Sequence, residues 1–83
     1  MKIKKNIALS DSGFVFNPSS GDSYSVNPIG IELIKMMKEE KGEDEIKQYI
    51  MNTYAVDEAT AEKDYYDFIK MLEQYRLIQK DEA

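Results

Sequence analysis

Apolar positions follow two different periods along this chain, and the change falls at Asn27-Pro28. Before that dipeptide, apolar and polar residues alternate as they do in strands. After it they recur at helical spacing. Ile3 to Leu9 reads as a first strand, with Ile3, Ile7 and Leu9 on one face and Lys2, Lys4 and Asn6 largely on the other. Ser10-Asp11-Ser12-Gly13 is a turn signal, because glycine takes positive φ without steric cost. Phe14-Val15-Phe16 reads as a second short strand with both aromatics on one side. Asn17 to Asp22 forms a second turn, and Asp22 to Val26 a third strand. Two short turns in succession predict an up-down-up antiparallel meander with the first and third strands at its edges.

Asn27 is a favoured N-cap, and proline suits the first helical position because its missing N–H would have no partner there. The dipeptide therefore ends a strand and opens a helix. From Pro28 to about Glu40, Ile29, Leu33, Met36 and Met37 form an i, i+4, i+7, i+8 stripe. Lys41-Gly42 breaks it. A second helix is predicted from about Glu43 to Tyr54, with Ile46, Tyr49, Ile50 and Tyr54 on one face and acidic residues in its first turn. Asp57 is the predicted N-cap of a third, longer helix, whose central stripe is Ala61, Tyr65, Phe68, Ile69 and Leu72. At about 100° per residue, Met71 and Tyr75 widen that stripe on the Phe68 side and Tyr66 stands alone on the other. The pattern leaves open whether Arg76-Leu77-Ile78 extends the helix or lies as an apolar tail on the body. Gln79 to Ala83 is expected to fray. The order is βββααα, a three-stranded antiparallel sheet followed by three helices. It reads as a single α+β domain over residues 1–83.

Composition narrows the function more than the fold. With 42% hydrophobic and 33% charged residues, the chain has the make-up of a soluble globular domain. It has no apolar run long enough for a membrane span, no signal-peptide pattern and no cysteine, so a cytoplasmic location is expected. Histidine, cysteine and tryptophan are all absent. The commonest general base, the best thiol nucleophile and the usual zinc ligands are therefore missing. The acidic runs Glu43-Asp44-Glu45 and Asp57-Glu58 sit at predicted helix starts, where they stabilise the dipole. No glycine-rich phosphate loop or calcium-loop spacing occurs. These features predict a binding protein with no catalytic centre, cofactor or metal.

Two features carry a binding argument. The sheet edges differ: the first strand carries lysines, which discourage pairing, whereas Ser23, Tyr24, Ser25 and Val26 present none. The open third strand fits two readings equally: pairing with another segment or a second copy, or addition of a partner peptide as a further strand. If the Val26 N–H points outward, Val26→Pro should remove an edge donor. The second feature is the broad flank of the third helix at Phe68, Met71 and Tyr75, since methionine and aromatics suit adaptable contact surfaces. A small sheet with three helices is also winged-helix-like, which raises DNA binding as an alternative. However, the net charge is −5. The third helix sets Glu58, Glu62, Asp64, Asp67 and Glu73 against Lys63, Lys70 and Arg76, an arrangement that repels phosphate.

The run Leu9 to Pro18, followed by Gly21 to Gly30, resembles the PqqD family. That family has a small strand pair, a Pro-x-x-Gly turn, a strand around tyrosine, and Asn-x-x-Gly opening the first helix. Glu45-Ile46, Tyr54-Ala55-Val56-Asp57, Asp64-Tyr65, Phe68-Ile69 and Leu72 extend the resemblance over nearly the whole chain. Gly42 and Glu43 depart from it, where a Ser or Thr cap and an apolar residue are common. The resemblance implies a RiPP recognition element, a peptide-modification chaperone of natural product biosynthesis. Such a domain binds the leader of a ribosomally made precursor peptide and presents it to a modifying enzyme, often a radical SAM protein. It further implies that the leader adds to the third strand in a groove against the third helix. Ser23, Tyr24, Ser25 and Val26 would then form the pairing edge, and Asp64, Phe68, Met71, Leu72 and Tyr75 the wall. The expected partners are a precursor peptide and its enzyme, with no nucleic acid or membrane. The chain itself is expected to be a monomer or weak dimer, and a structural dimer through the third strand is the remaining alternative.

Overall fold

The computed structural model describes residues 2–79. Its elements are β1 (Lys2–Ile3), β2 (Ala8–Leu9), β3 (Phe14–Asn17), β4 (Asp22–Ser25), α1 (Pro28–Lys38), α2 (Glu43–Tyr54), α3 (Glu58–Gln74) and β5 (Ile78–Gln79). β2, β3 and β4 form the antiparallel meander, in that spatial order, with Phe14 opposite Ser25 and Phe16 opposite Ser23. The α+β architecture and the three-stranded sheet are as the pattern predicts.

The single first strand is not. A turn at residues 5–6 breaks it, and the Ile7 N–H returns to the Lys4 carbonyl at 3.1 Å. Alternation continues through the break because Ile3 and Ile7 are both buried, although Ile3 lies in β1 and Ile7 in the link that leads to β2. β1 leaves the meander and pairs antiparallel with β5, Lys2 opposite Gln79 and Ile3 opposite Ile78. Arg76-Leu77-Ile78 is therefore the apolar tail, not a helical extension. Arg76 adopts φ 58°, which turns the chain off α3, and Leu77 and Ile78 are buried. Gln79, expected to fray, is paired in β5; the rest of the expected frayed end lies outside the described residues.

The joint after β4 forms as its residue types require. Asn27 is extended, and its Oδ1 accepts the Gly30 N–H at 2.9 Å with Pro28 at the helix start. α1 buries Ile31 and Ile34 together with Leu33 and Met37, while Ile29 and Met36 are only half-buried, so its core face is rotated from the predicted stripe. α2 has the predicted limits, starts at Gly42 without a side-chain cap, and seats Ile46 and Ile50 against α3. Asp57 caps α3 by accepting the Thr60 N–H at 2.9 Å. The Thr60 side chain, followed by this N–H bond, holds the Asp57 carboxyl below its ordinary pKa. One core runs through these faces, with Val15, Ala61, Tyr65, Ile69 and Leu72 among its members.

Candidate functional site

Hydrogen-bond direction along β4 follows from one contact. The Val26 N–H donates to the Gly13 carbonyl at 2.8 Å. In an antiparallel pair, residues alternate between those bonded to the partner and those turned away. Tyr24 therefore faces β3 with its backbone, as Val26 does, and Ser23 and Ser25 turn their N–H and C=O outward. β4 has β3 on one side and no strand on the other among the described residues. The outward donor expected at Val26 is thus spent inside the sheet. Proline there would break a bond of the fold, whereas proline at Ser25 would remove a free one.

Side chains alternate too, and the inner ones meet α3. The Tyr24 ring stacks on Tyr75 at the C-terminus of α3, with centroids 4.1 Å apart and planes 7° from parallel. Its hydroxyl donates to Asp22 Oδ2 at 3.5 Å. Partial burial, followed by the Asp22 carboxylate, raises the Tyr24 phenol above its ordinary pKa. Val26 packs on Gly30. A Cβ at Gly30 would overlap Val26 Cγ1 and lie 3.0 Å from Asn27 Oδ1 and 3.3 Å from Phe68 Cε1. The absence of a side chain at Gly30 thus lets the end of the strand, the start of α1 and the middle of α3 converge.

Beside this junction is a cavity of about 530 Å³. α1 contributes Ile29, Gly30 and Leu33, α2 contributes Ile50 and Tyr54, and α3 contributes Asp64 and Phe68, with Asn27 and Val56 completing the lining. Its walls are mainly apolar, with Asn27 and Asp64 as polar groups. A volume of this order accommodates a large side chain or a short run of peptide.

The structure brings Ser23, Tyr24, Ser25 and Val26 to one edge, with Asp64 and Phe68 at the adjoining cavity. Met71 is half-buried against the core, and Tyr75 is held in the stack with Tyr24. Leu72 is fully buried, so it supports the wall from behind and offers no surface. Two contributors escaped the pattern. Tyr54, assigned to packing from its spacing, is exposed and lines the cavity. Asn17, read as a turn residue, is the one buried polar residue among those described. Its Oδ1 accepts the Ser19 N–H at 3.0 Å and its Nδ2 donates to the Arg76 carbonyl at 3.5 Å, tying the β3–β4 turn to the end of α3. A lone asparagine before proline gives no sign of so distant a partner.

No helix among the described residues is long and apolar enough to cross a membrane. The family model for Coenzyme PQQ synthesis protein D (PqqD) matches residues 13–78, from the turn before β3 to the start of β5. No curated protein matches the chain. Among solved structures, TbiB1 in complex with the TbiA(beta) leader peptide matches with a TM-score of 0.84 and 26% identity, covering 100% of this chain and 100% of that one.

Proposed function

The chain belongs to the PqqD family, and from that premise we propose that it binds the leader of a ribosomally synthesised precursor peptide and presents it to a modifying enzyme. The leader adds as a strand to the free edge of β4, in the groove against α3. The observation that carries this reading is the outward-turned backbone of Ser23 and Ser25 beside the cavity lined by Phe68 and Asp64. The likeness to TbiB1, solved with a leader peptide, supports it.

Both parts of the site are needed on energetic grounds. Each backbone hydrogen bond contributes only about 0.5–1.5 kcal/mol net, because the free groups are already hydrated. Four such bonds give little margin over the entropy lost in ordering a peptide. Burying one large apolar side chain in the cavity adds about 1.5–3 kcal/mol. The edge thus aligns the peptide with little demand on its sequence, and the cavity selects an anchor. Holding the leader raises the local concentration of the attached core peptide at the enzyme.

The test is an NMR titration of the ¹⁵N-labelled protein with the leader of a short precursor peptide encoded beside its gene. The amides of Ser23 and Ser25 and those around Phe68 should shift together. Ser25→Pro, which removes an outward N–H at an edge where proline is tolerated, should fold and lose binding. Wild-type affinity in that variant, or shifts that spare β4, would refute the reading.

A further inference from the structure

The outer face of the meander has no role in the groove. Ala8, Phe14, Phe16, Ser23 and Ser25 point to this face, and all are exposed. Phe14 is 50% exposed and Phe16 42%, unusual for adjacent same-face phenylalanines on so small a domain. Ser25 lies directly opposite Phe14, and Ser23 opposite Phe16. None of the five carries a charge. The serines are too short to cover the rings beside them, so each phenylalanine is bare on the side facing the free edge.

We propose that Phe14 and Phe16 are specificity-determining residues that take the outward-facing side chains of the bound peptide. The inference rests on strand addition to β4. A peptide paired with Ser23 and Ser25 continues the pleat, and its residues beside those serines project onto the outer face. Strands lie about 4.8 Å apart, so this peptide strand is about 10 Å from β3. Two large side chains, leaning toward each other over a serine, bridge that distance. A small or charged peptide residue leaves the rings in water. The ligand class is therefore a segment with bulky apolar residues two positions apart on its outer face, in addition to the anchor turned inward to the cavity. A second copy of this chain is a poorer occupant. Five residues fall far short of the about 20–30 per side found in stable interfaces.

A displayed library of random peptides, selected in parallel on the wild type, two double variants of the outer face and Ser25→Pro, tests this. The wild type should enrich bulky apolar residues at two positions two apart, flanking an inward apolar one. Phe14→Thr combined with Phe16→Thr keeps strand-forming residues on the surface and leaves the core intact. It should keep the inward preference, lose the outward pair, and bind the synthetic wild-type consensus about tenfold more weakly. Ser23→Val combined with Ser25→Val fills the space over the serines and should shift the outward pair to smaller residues. The same consensus and affinity on the wild type and both double variants would overturn the inference while leaving strand addition intact. Failure of the wild type to enrich any peptide, or identical peptides enriched on Ser25→Pro, would overturn strand addition and this inference with it. Concentration-dependent dimerisation of the wild type, lost in the threonine variant, would also overturn it by assigning the face to a second copy.

Discussion

Gly30→Ala sets two opposed effects against each other at the joint between β4 and α1. In a helix interior, alanine is favoured over glycine by about 1 kcal/mol. Propensity alone therefore predicts a more stable protein. The surroundings predict the reverse, because the new Cβ would overlap Val26 Cγ1 and press on Asn27 Oδ1 at 3.0 Å and Phe68 Cε1 at 3.3 Å. Valine is stiff at χ1, and this one is held by its N–H bond to Gly13 at 2.8 Å, so it cannot simply swing aside. Overpacking of this kind costs about 1–3 kcal/mol, and any retreat of Asn27 weakens the cap on the Gly30 N–H. The net expectation is destabilisation by about 1 kcal/mol, or a Tm about 4–8 °C lower for a domain of this size. Urea unfolding of Gly30→Ala in the wild type and in a Val26→Ala background measures both effects. In the second background the clash is relieved and the alanine should become neutral or stabilising. A higher Tm for the single variant, or the same loss in both backgrounds, would refute the reasoning.

Two further outcomes concern the stability of the fold. Asn17→Ala leaves the Ser19 N–H and the Arg76 carbonyl without their partner, and should cost about 1–3 kcal/mol in chemical denaturation; a loss under about 0.5 kcal/mol would show that the tie does not hold the turn. Tyr24, Tyr65 and Tyr66 all have pKa values raised in the fold, the first two mainly by burial and the third mainly by a hydrogen bond to Glu43. Above the ordinary tyrosine value of about 10 the unfolded chain loses these protons first, so the native state binds more of them and stability falls as pH rises. Urea midpoints should hold below about pH 9 and drop above about pH 10, less steeply in Tyr65→Phe; a flat profile through about pH 11 would contradict this.

The readily legible parts of the fold are those set by local chemistry. Asn27-Pro28, the limits of α2 and the Asp57 cap depend on residues within one turn of each other, and all stand where the residue types put them. The pairing of β1 with β5 was not legible, because strands of two residues at opposite ends of the chain carry no pattern of their own. Alternation also gave no warning of the turn at residues 5–6, since Ile3 and Ile7 share a phase by coincidence of spacing. On α3, a wide band is visible on the helical wheel, but the wheel cannot say which part is covered. Leu72 is enclosed, Phe68 reaches the cavity and Tyr75 stacks on a strand, although all three lie within the same band. That β4 is an edge was legible from the two short turns, but the lack of lysine did not single it out: the lysines lie on or beside β1, which pairs with β5, and β2, the other edge of the meander, carries none. Which of the β4 N–H groups point outward required the Val26–Gly13 bond.

The clasp of β1 on β5 bears on how the domain assembles. It closes a loop that contains every other element, and the Lys4 N–H reinforces it by donating to the Leu77 carbonyl at 3.0 Å. Closing a flexible loop of about 75 residues costs on the order of 4 kcal/mol in chain entropy, more than so few ladder bonds return. The clasp is therefore a late folding event, able to form only after α1 and α3 have already brought Ile3, Leu77 and Ile78 together. Once formed, it has no independent existence. The two ends of the described chain therefore open together, since each strand has only the other as its ladder partner.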